Sequence, residues 1–168
     1  DSLAQLGELE THADAFKLAD VSRVLEGNPK AVLFERIGAE RQALAGNVLG
    51  SRARMAHAFG VAPHALLAEV RRRLSNQPEI VEVARDEAPV QHVVLTGAEA
   101  DLTALPVHLQ HGYDGAPYIS AAMDFAVDNA TGWTNVGLRR LMLRGRHETG
   151  IDLVAPSDLR TIFLASLD

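Results

Sequence analysis

The 168-residue sequence contains no cysteine, which removes disulfides, thiolate metal sites and a thiol nucleophile from consideration. It also lacks a basic surplus. Sixteen Lys and Arg stand against 22 Asp and Glu, a formal charge of −6, and a general nucleic-acid binder would show the opposite balance. No apolar run approaches the ~18 residues of a membrane span. The opening stretch DSLAQLGELETHADAF has neither the basic start nor the apolar middle of a signal peptide, so a cytoplasmic location is the expectation. Histidine occurs seven times, but never as HxxxH or HExxH, which speaks against a histidine-rich zinc site. There is no Gly-x-Ser-x-Gly elbow, and GNVLGSRAR lacks the Lys-Ser/Thr ending of a phosphate-binding P-loop. What is present is 47% hydrophobic and 23% charged residues, the composition of a globular protein of one domain, or of one domain and part of a second.

Along the chain, Ala19–Leu25 reads as a short helix ended by the turn Gly27-Asn28-Pro29. The apolar stretch Ala31–Ile37 predicts a strand, and Ala43–Leu49 its partner. Ser51 is placed to cap a helix that Gly60 closes. Pro63 opens another, with Leu66, Leu67, Val70 and Leu74 at helical spacing. The run Arg71–Arg73 on its other face reads as a solvated helix end favoured by the macrodipole rather than a phosphate site. After a polar connector, Val90–Thr96, Tyr118–Val127, Trp133–Arg144 and Ile151–Val154 predict strands with hairpin signals between the last three, and Leu159–Asp168 a final helix. The expected fold class is α+β: an N-terminal α/β domain over 1–105, then the beginning of a β-barrel or sandwich over 106–168. The last helix stops without a glycine cap or polar tail, so a fragment of a longer protein is the expectation.

One stretch poses a chemical problem. In TNVGLRRLM, Val136, Leu138 and Arg140 share one strand face, and Asn135, Gly137, Arg139 and Leu141 share the other. An amide and a guanidinium are costly to bury without partners. Asn135 and Asp158 offer oxygen ligands to a hard divalent cation such as Mn²⁺ or Mg²⁺. Arg139 and Arg140 offer forks to a carboxylate or phosphate, and Ser157-Asp158 opens a helix whose N-terminus favours anions. The same residues also admit a structural reading, with Ser157 or Asp158 as a helix cap and the two arginines as exposed strand positions.

The ordered motifs go further. TNVGLRR…LRGRHETGIDLVAPSDLR resembles the cofactor-binding segment of the UbiD-like decarboxylases. The likeness extends back through AVLFERIGAERQALAGNVLGSRARMAHAFG and VQHVVLTGAEADLTALPVHLQHGYDGAPYISAAMDFAVD. That family has an "LFE" strand, a "GNLFGS" turn, and "LP" followed by "DGGPYI" in the same order, and the match covers most of residues 30–165.

The resemblance implies an N-terminal α/β domain followed by a flavin-reductase-like split β-barrel. It implies prenylated FMN as cofactor, supplied by a flavin prenyltransferase, with Mn²⁺ or another divalent cation and a K⁺-like monovalent ion at its phosphate. The reaction would be reversible non-oxidative decarboxylation of an aromatic or α,β-unsaturated acid. By that likeness Asn135 binds the metal, the backbone from Asn135 through Val136, Gly137, Leu138 and Arg139 to Arg140 lines the cofactor, and Arg140 orients the substrate carboxylate and helps the catalytic glutamates. Ser157 takes a second cofactor contact. Asp158 falls where the family has a metal-binding histidine, a departure that alters the charge and softness of the site. The family's third metal ligand and its acid/base glutamates lie further along than residue 168, and full-length members are homo-oligomers. The alternatives are a non-catalytic subunit of the same fold and a plain FMN-binding domain.

Overall fold

The computed structural model describes residues 2–39, 41–77 and 79–167. The chain divides into two compact units, 1–99 and 100–168, each described here by itself.

In the first unit, α1 (Ser2–Gln5) leads into β1 (Leu9–Phe16), a 3-10 turn at Leu18–Asp20 and α2 (Val21–Leu25). Strands β2 (Ala31–Ile37) and β3 (Gln42–Gly46) complete a three-stranded sheet of order β1-β2-β3, with β1 parallel and β3 antiparallel to β2. Val32 and Phe34 point to one side of β2 and join Val21 in the core. Strict alternation would send Ile37 to the other face. A register shift against β3 between Phe34 and Ile37 places Glu35 and Arg36 together in solvent and returns Ile37 to the core. Gly46 lets α2 close on this sheet, because a Cβ there would lie 2.5 Å from Leu25 Cδ2.

Strand β1 was not expected from its sequence, LETHADAF. Its part-buried positions include Glu10 and His12, which conceal the apolar alternation that marks a strand. They are accommodated by partners. Glu10 accepts from Asn28 Nδ2 at 3.0 Å and lies 2.8 Å from His12 Nε2, while the His12 ring stacks on Phe34 with centroids 5.1 Å apart.

Helix α3 (Arg52–Ala58) starts where the capping serine puts it: Ser51 Oγ accepts from the backbone N–H of Ala53 and Arg54. Pro63–Ala65 form a 3-10 turn that runs into α4 (Leu66–Leu74). The arginine run on α4 is tied down locally. Arg72 and Arg73 both donate to Glu69 and hold its carboxyl down at about 2, and the Arg73 guanidinium lies 4.6 Å over the Phe59 ring.

Residues 90–96 correct the expectation of a strand there. Pro89–Gln91 form a 3-10 turn and the rest is irregular, with Val90, Val93, Val94 and Leu95 exposed. β-branched residues favour a pleated surface only where neighbouring strands supply something to pack against, and none of the described strands pairs with this segment.

The second unit holds β4 (Tyr118–Val127), β5 (Thr134–Gly145) and β6 (Glu148–Gly150) in an antiparallel sheet, followed by α5 (Asp158–Ala165). Asp128 builds the β4–β5 turn by accepting from Ala130 N–H and from the Thr131 hydroxyl, and Gly132 supplies the positive φ of +73°. The strand expected at Ile151–Val154 is corrected as well. The pairing with β5 is made by Glu148–Gly150, and residues 151–154 are irregular, with Asp152 accepting from Val154 N–H. The mixture of helices and open sheets is α+β.

Candidate functional site

The β4–β5 hairpin carries most of the chemistry, and its two faces differ. On one face, Asn135, Gly137 and Arg139 stand opposite Ala126, Asp124 and Ala122. Arg139 Nε donates to Asp124 Oδ1 at 3.0 Å, and both side chains are mostly buried. The guanidinium reaches Asp124 by crossing directly over Gly137. A Cβ at 137 would meet Asp124 Oδ1 at 2.8 Å and Arg139 Nε and Nη2 at 2.9 Å. Asn135 is only 8% exposed, and its Nδ2, like Asp124 Oδ2, is buried with no hydrogen-bond partner among the described residues. Two orphaned polar atoms on one sheet face are costly unless something further satisfies them.

Gly137→Ala is therefore expected to keep the hairpin but displace the Arg139–Asp124 pair, at a cost of about 1–3 kcal/mol. Urea unfolding of Gly137→Ala beside Arg139→Leu and the double variant measures this. The double variant should lose much less than the sum of the two single losses, because the methyl then meets no guanidinium and an Asp124 carboxylate no longer held in place by one.

The other face is apolar and open. Met123, Phe125, Val127, Val136 and Leu138 are exposed, Leu138 to 80%. Arg140 lies on this face, five residues from Asn135 and so on the opposite side of a regular strand. The register shift between Ile119 and Ala122 sets Ser120 and Ala121 against Arg140, a bulge that twists the sheet at that point. Beside it opens a groove of about 560 Å³ lined by Tyr118, Leu138, Arg140, Met142, Arg144 and Asp152, with Arg139 also reaching it. Arg140 makes no side-chain hydrogen bond or ion pair with any described residue, leaving a guanidinium fork open to an anion.

Of the residues singled out from sequence, Leu138, Arg139 and Arg140 reach the groove, while Asn135 and Gly137 occupy the buried face. Ser157 is the N-cap of α5, its Oγ accepting from Arg160 N–H, and Asp158 is the first residue of that helix. No group of three or more His, Asp or Glu able to hold a metal occurs among the described residues, so any metal at Asn135 and Asp158 needs further donors. His108 has its pKa lowered by burial, and His111 pairs with Asp114 at 3.6 Å. Asp124, Tyr118, Arg144 and Asp152 were missed. The signal for Arg144 was there, since 140, 142 and 144 share one strand face. Asp124 was also visible, as the one acid in the apolar strand YISAAMDFAV.

Two family models match the chain: the 3-octaprenyl-4-hydroxybenzoate carboxy-lyase N-terminal domain over residues 7–74 and the Rift-related domain of the same carboxy-lyases over 81–164. The chain belongs to the UbiD family. Among curated relatives, anhydromevalonate phosphate decarboxylase of Methanosarcina mazei is 31% identical over 82% of this chain. An uncharacterized protein of the cooM 5′ region of Rhodospirillum rubrum is 29% identical over 92%. Among solved structures, an evolved dimeric form of the UbiD-class enzyme HmfF from Pelotomaculum thermopropionicum, in complex with prFMN, matches 98% of this chain at 26% identity and a TM-score of 0.86. The chain spans 30% and 34% of the two curated relatives and 39% of the HmfF chain. No described helix is long and apolar enough to cross a membrane.

Proposed function

We propose that this chain is the cofactor-seating part of a UbiD-type carboxy-lyase, which removes CO₂ reversibly from an aromatic or α,β-unsaturated acid. The observation that carries the reading is the NVGLRR strand itself. It holds a nine-tenths-buried amide at Asn135 whose Nδ2 lacks an acceptor among the described residues and, five residues on, in a groove, an arginine at Arg140 with no ion-pair partner among them. The complex of HmfF with prFMN supports a prenylated flavin as the group that completes this seat. Residues 106–168 would then be the start of a flavin-reductase-like split barrel, after an N-terminal α/β domain over 1–105.

In this reading Asn135 and Asp158 supply oxygen ligands to Mn²⁺ or another divalent cation, with further donors from outside the described residues and K⁺ alongside. The backbone of Val136–Arg139 and the Ser157 hydroxyl hold the cofactor. When bound, prenylated FMN supplies the electron sink that takes up the electron pair of the breaking C–CO₂ bond. The chain's own part is orientation. Arg140 fixes the carboxylate by its fork, and Tyr118, Leu138 and Met142 give the remainder of the acid an apolar surface. The working enzyme is read as a cytoplasmic homo-oligomer that receives its cofactor from a flavin prenyltransferase.

The test is the full-length protein produced with and without a flavin prenyltransferase. Absorption and mass spectra should find prenylated FMN in the first case, together with turnover of an unsaturated acid. Ordinary FMN alone, or no flavin and no turnover, would turn the assignment towards an FMN-binding domain or a non-catalytic subunit. Asn135→Ala in the same protein is expected to lower Mn²⁺ and flavin content together, metal affinity falling by at least about tenfold. Metal analysis and flavin absorbance check it. Unchanged content of both would make Asn135 a structural residue.

A further inference from the structure

Arg140 is not the only cation in its groove. Arg144 lies four residues further along the same face of β5, about 13 Å along the strand, and both line the cavity. Between them sits Met142, paired across the sheet with Tyr118 on one side and Gly150 on the other. The stem of Arg144 is laid back over Gly150. A Cβ at 150 would meet Arg144 Cδ at 3.1 Å and the Met142 methyl at 3.4 Å, so the glycine is what lets this arginine lean into the cavity towards Arg140. Its ion pair with Glu148 at 3.6 Å is between exposed side chains and is weak enough to give way. Asp152 is the single acid in the lining among the described residues, and its Oδ1 is already engaged by Val154 N–H. The groove is thus a short apolar floor with a guanidinium towards each end.

We infer that this groove selects a diacid, with one carboxylate on Arg140 and a second, non-reacting carboxylate on Arg144. This rests on the proposed carboxylate role of Arg140 and extends it to substrate class. The planar fork of Arg144 can take a second carboxylate bidentately. The groove volume is within the range of small-molecule sites.

Muconate and sorbate share a six-carbon dienoic skeleton and differ in having two carboxylates or one. Calorimetric titration of both into the full-length protein, as purified, reads the second contact by itself. Muconate should bind at least about tenfold more tightly than sorbate, the scale of one charge-assisted fork. In Arg144→Met the muconate-to-sorbate ratio should fall to near one, with a thermal melt confirming the fold, and Arg144→Lys should recover part of it. In Arg140→Met both acids should weaken. Equal affinities in the wild type, or an undiminished ratio in Arg144→Met, overturn the diacid inference. If Arg140→Met changes neither affinity while Arg144→Met still abolishes the preference, the role of Arg140 fails and the second-anion position stands. Binding of neither acid overturns both.

Discussion

Arg54→Met is expected to destabilise the N-terminal unit by about 3–5 kcal/mol, the scale of removing one partner from a buried charged network. Arg54 is 2% exposed. Its guanidinium donates from Nη1 to Glu8 Oε2 at 2.7 Å and to Pro29 O at 2.8 Å, from Nη2 to Asn47 O at 2.9 Å, and from Nε to Val48 O at 3.1 Å. Four acceptors from three separate loops converge on one side chain. Methionine fills much of the volume but leaves three carbonyls and a carboxylate without their donor. Lysine offers a single ammonium and should recover only part of the loss. Urea unfolding of the three proteins decides: a loss below about 1 kcal/mol for methionine would mean that water replaces the guanidinium freely.

The same geometry explains why GNVLGSRAR is no phosphate cradle. A phosphate loop turns backbone N–H groups towards its ligand. Here the carbonyls of Asn47 and Val48 point inward to Arg54, and Asn47 is held at φ +54° while its amide donates to Leu25 O. The missing Lys-Ser/Thr ending spoke against a phosphate loop. The occupant, Arg54, the third residue of the next helix, was not signalled, because most of its partners are backbone carbonyls that no sequence pattern records.

If Arg140 holds the substrate carboxylate as proposed, Arg140→Lys lowers turnover of the full-length protein by on the order of 10²-fold, with unchanged melting temperature and flavin content. Arg140 makes no side-chain hydrogen bond or ion pair with any described residue, so stability should not move. Lysine keeps the charge but offers a point donor in place of a planar fork, and a carboxylate held by one contact is free to swing away from the reacting geometry. Steady-state kinetics beside a thermal melt measures both halves. Turnover within twofold of wild type would make Arg140 a solvated strand residue. Lower turnover with an equally lowered melting temperature would make it a structural one.

Legibility followed the source of each element's stability. Strands β2 and β4 and helices α3 and α5 were readable because apolar spacing and caps act locally, and Ser51 and Ser157 cap where their positions suggest. Strand β1 was not, since the partners of Glu10 and His12 come from residues 28 and 34. Val90–Thr96 misled for the opposite reason, carrying strand-forming residues with no described strand beside it. At the candidate site, the motif located Asn135 and Arg140 by resemblance. That they lie on opposite strand faces was implicit in their odd spacing. The ion pair over Gly137 was not, because it depends on the cross-strand register.

That ion pair also constrains how the strand can change over generations. The nearest atoms that a side chain at 137 would strike are the tips of Asp124 and Arg139, so the intolerance of the position is conditional on them. A lineage that first loses Arg139 could later admit alanine at 137 at little cost, whereas one that takes alanine first passes through a weakened intermediate. The order of substitutions matters, and positions 124, 137 and 139 should drift as a trio across relatives, with small residues at 137 wherever an acid and an arginine face each other across it.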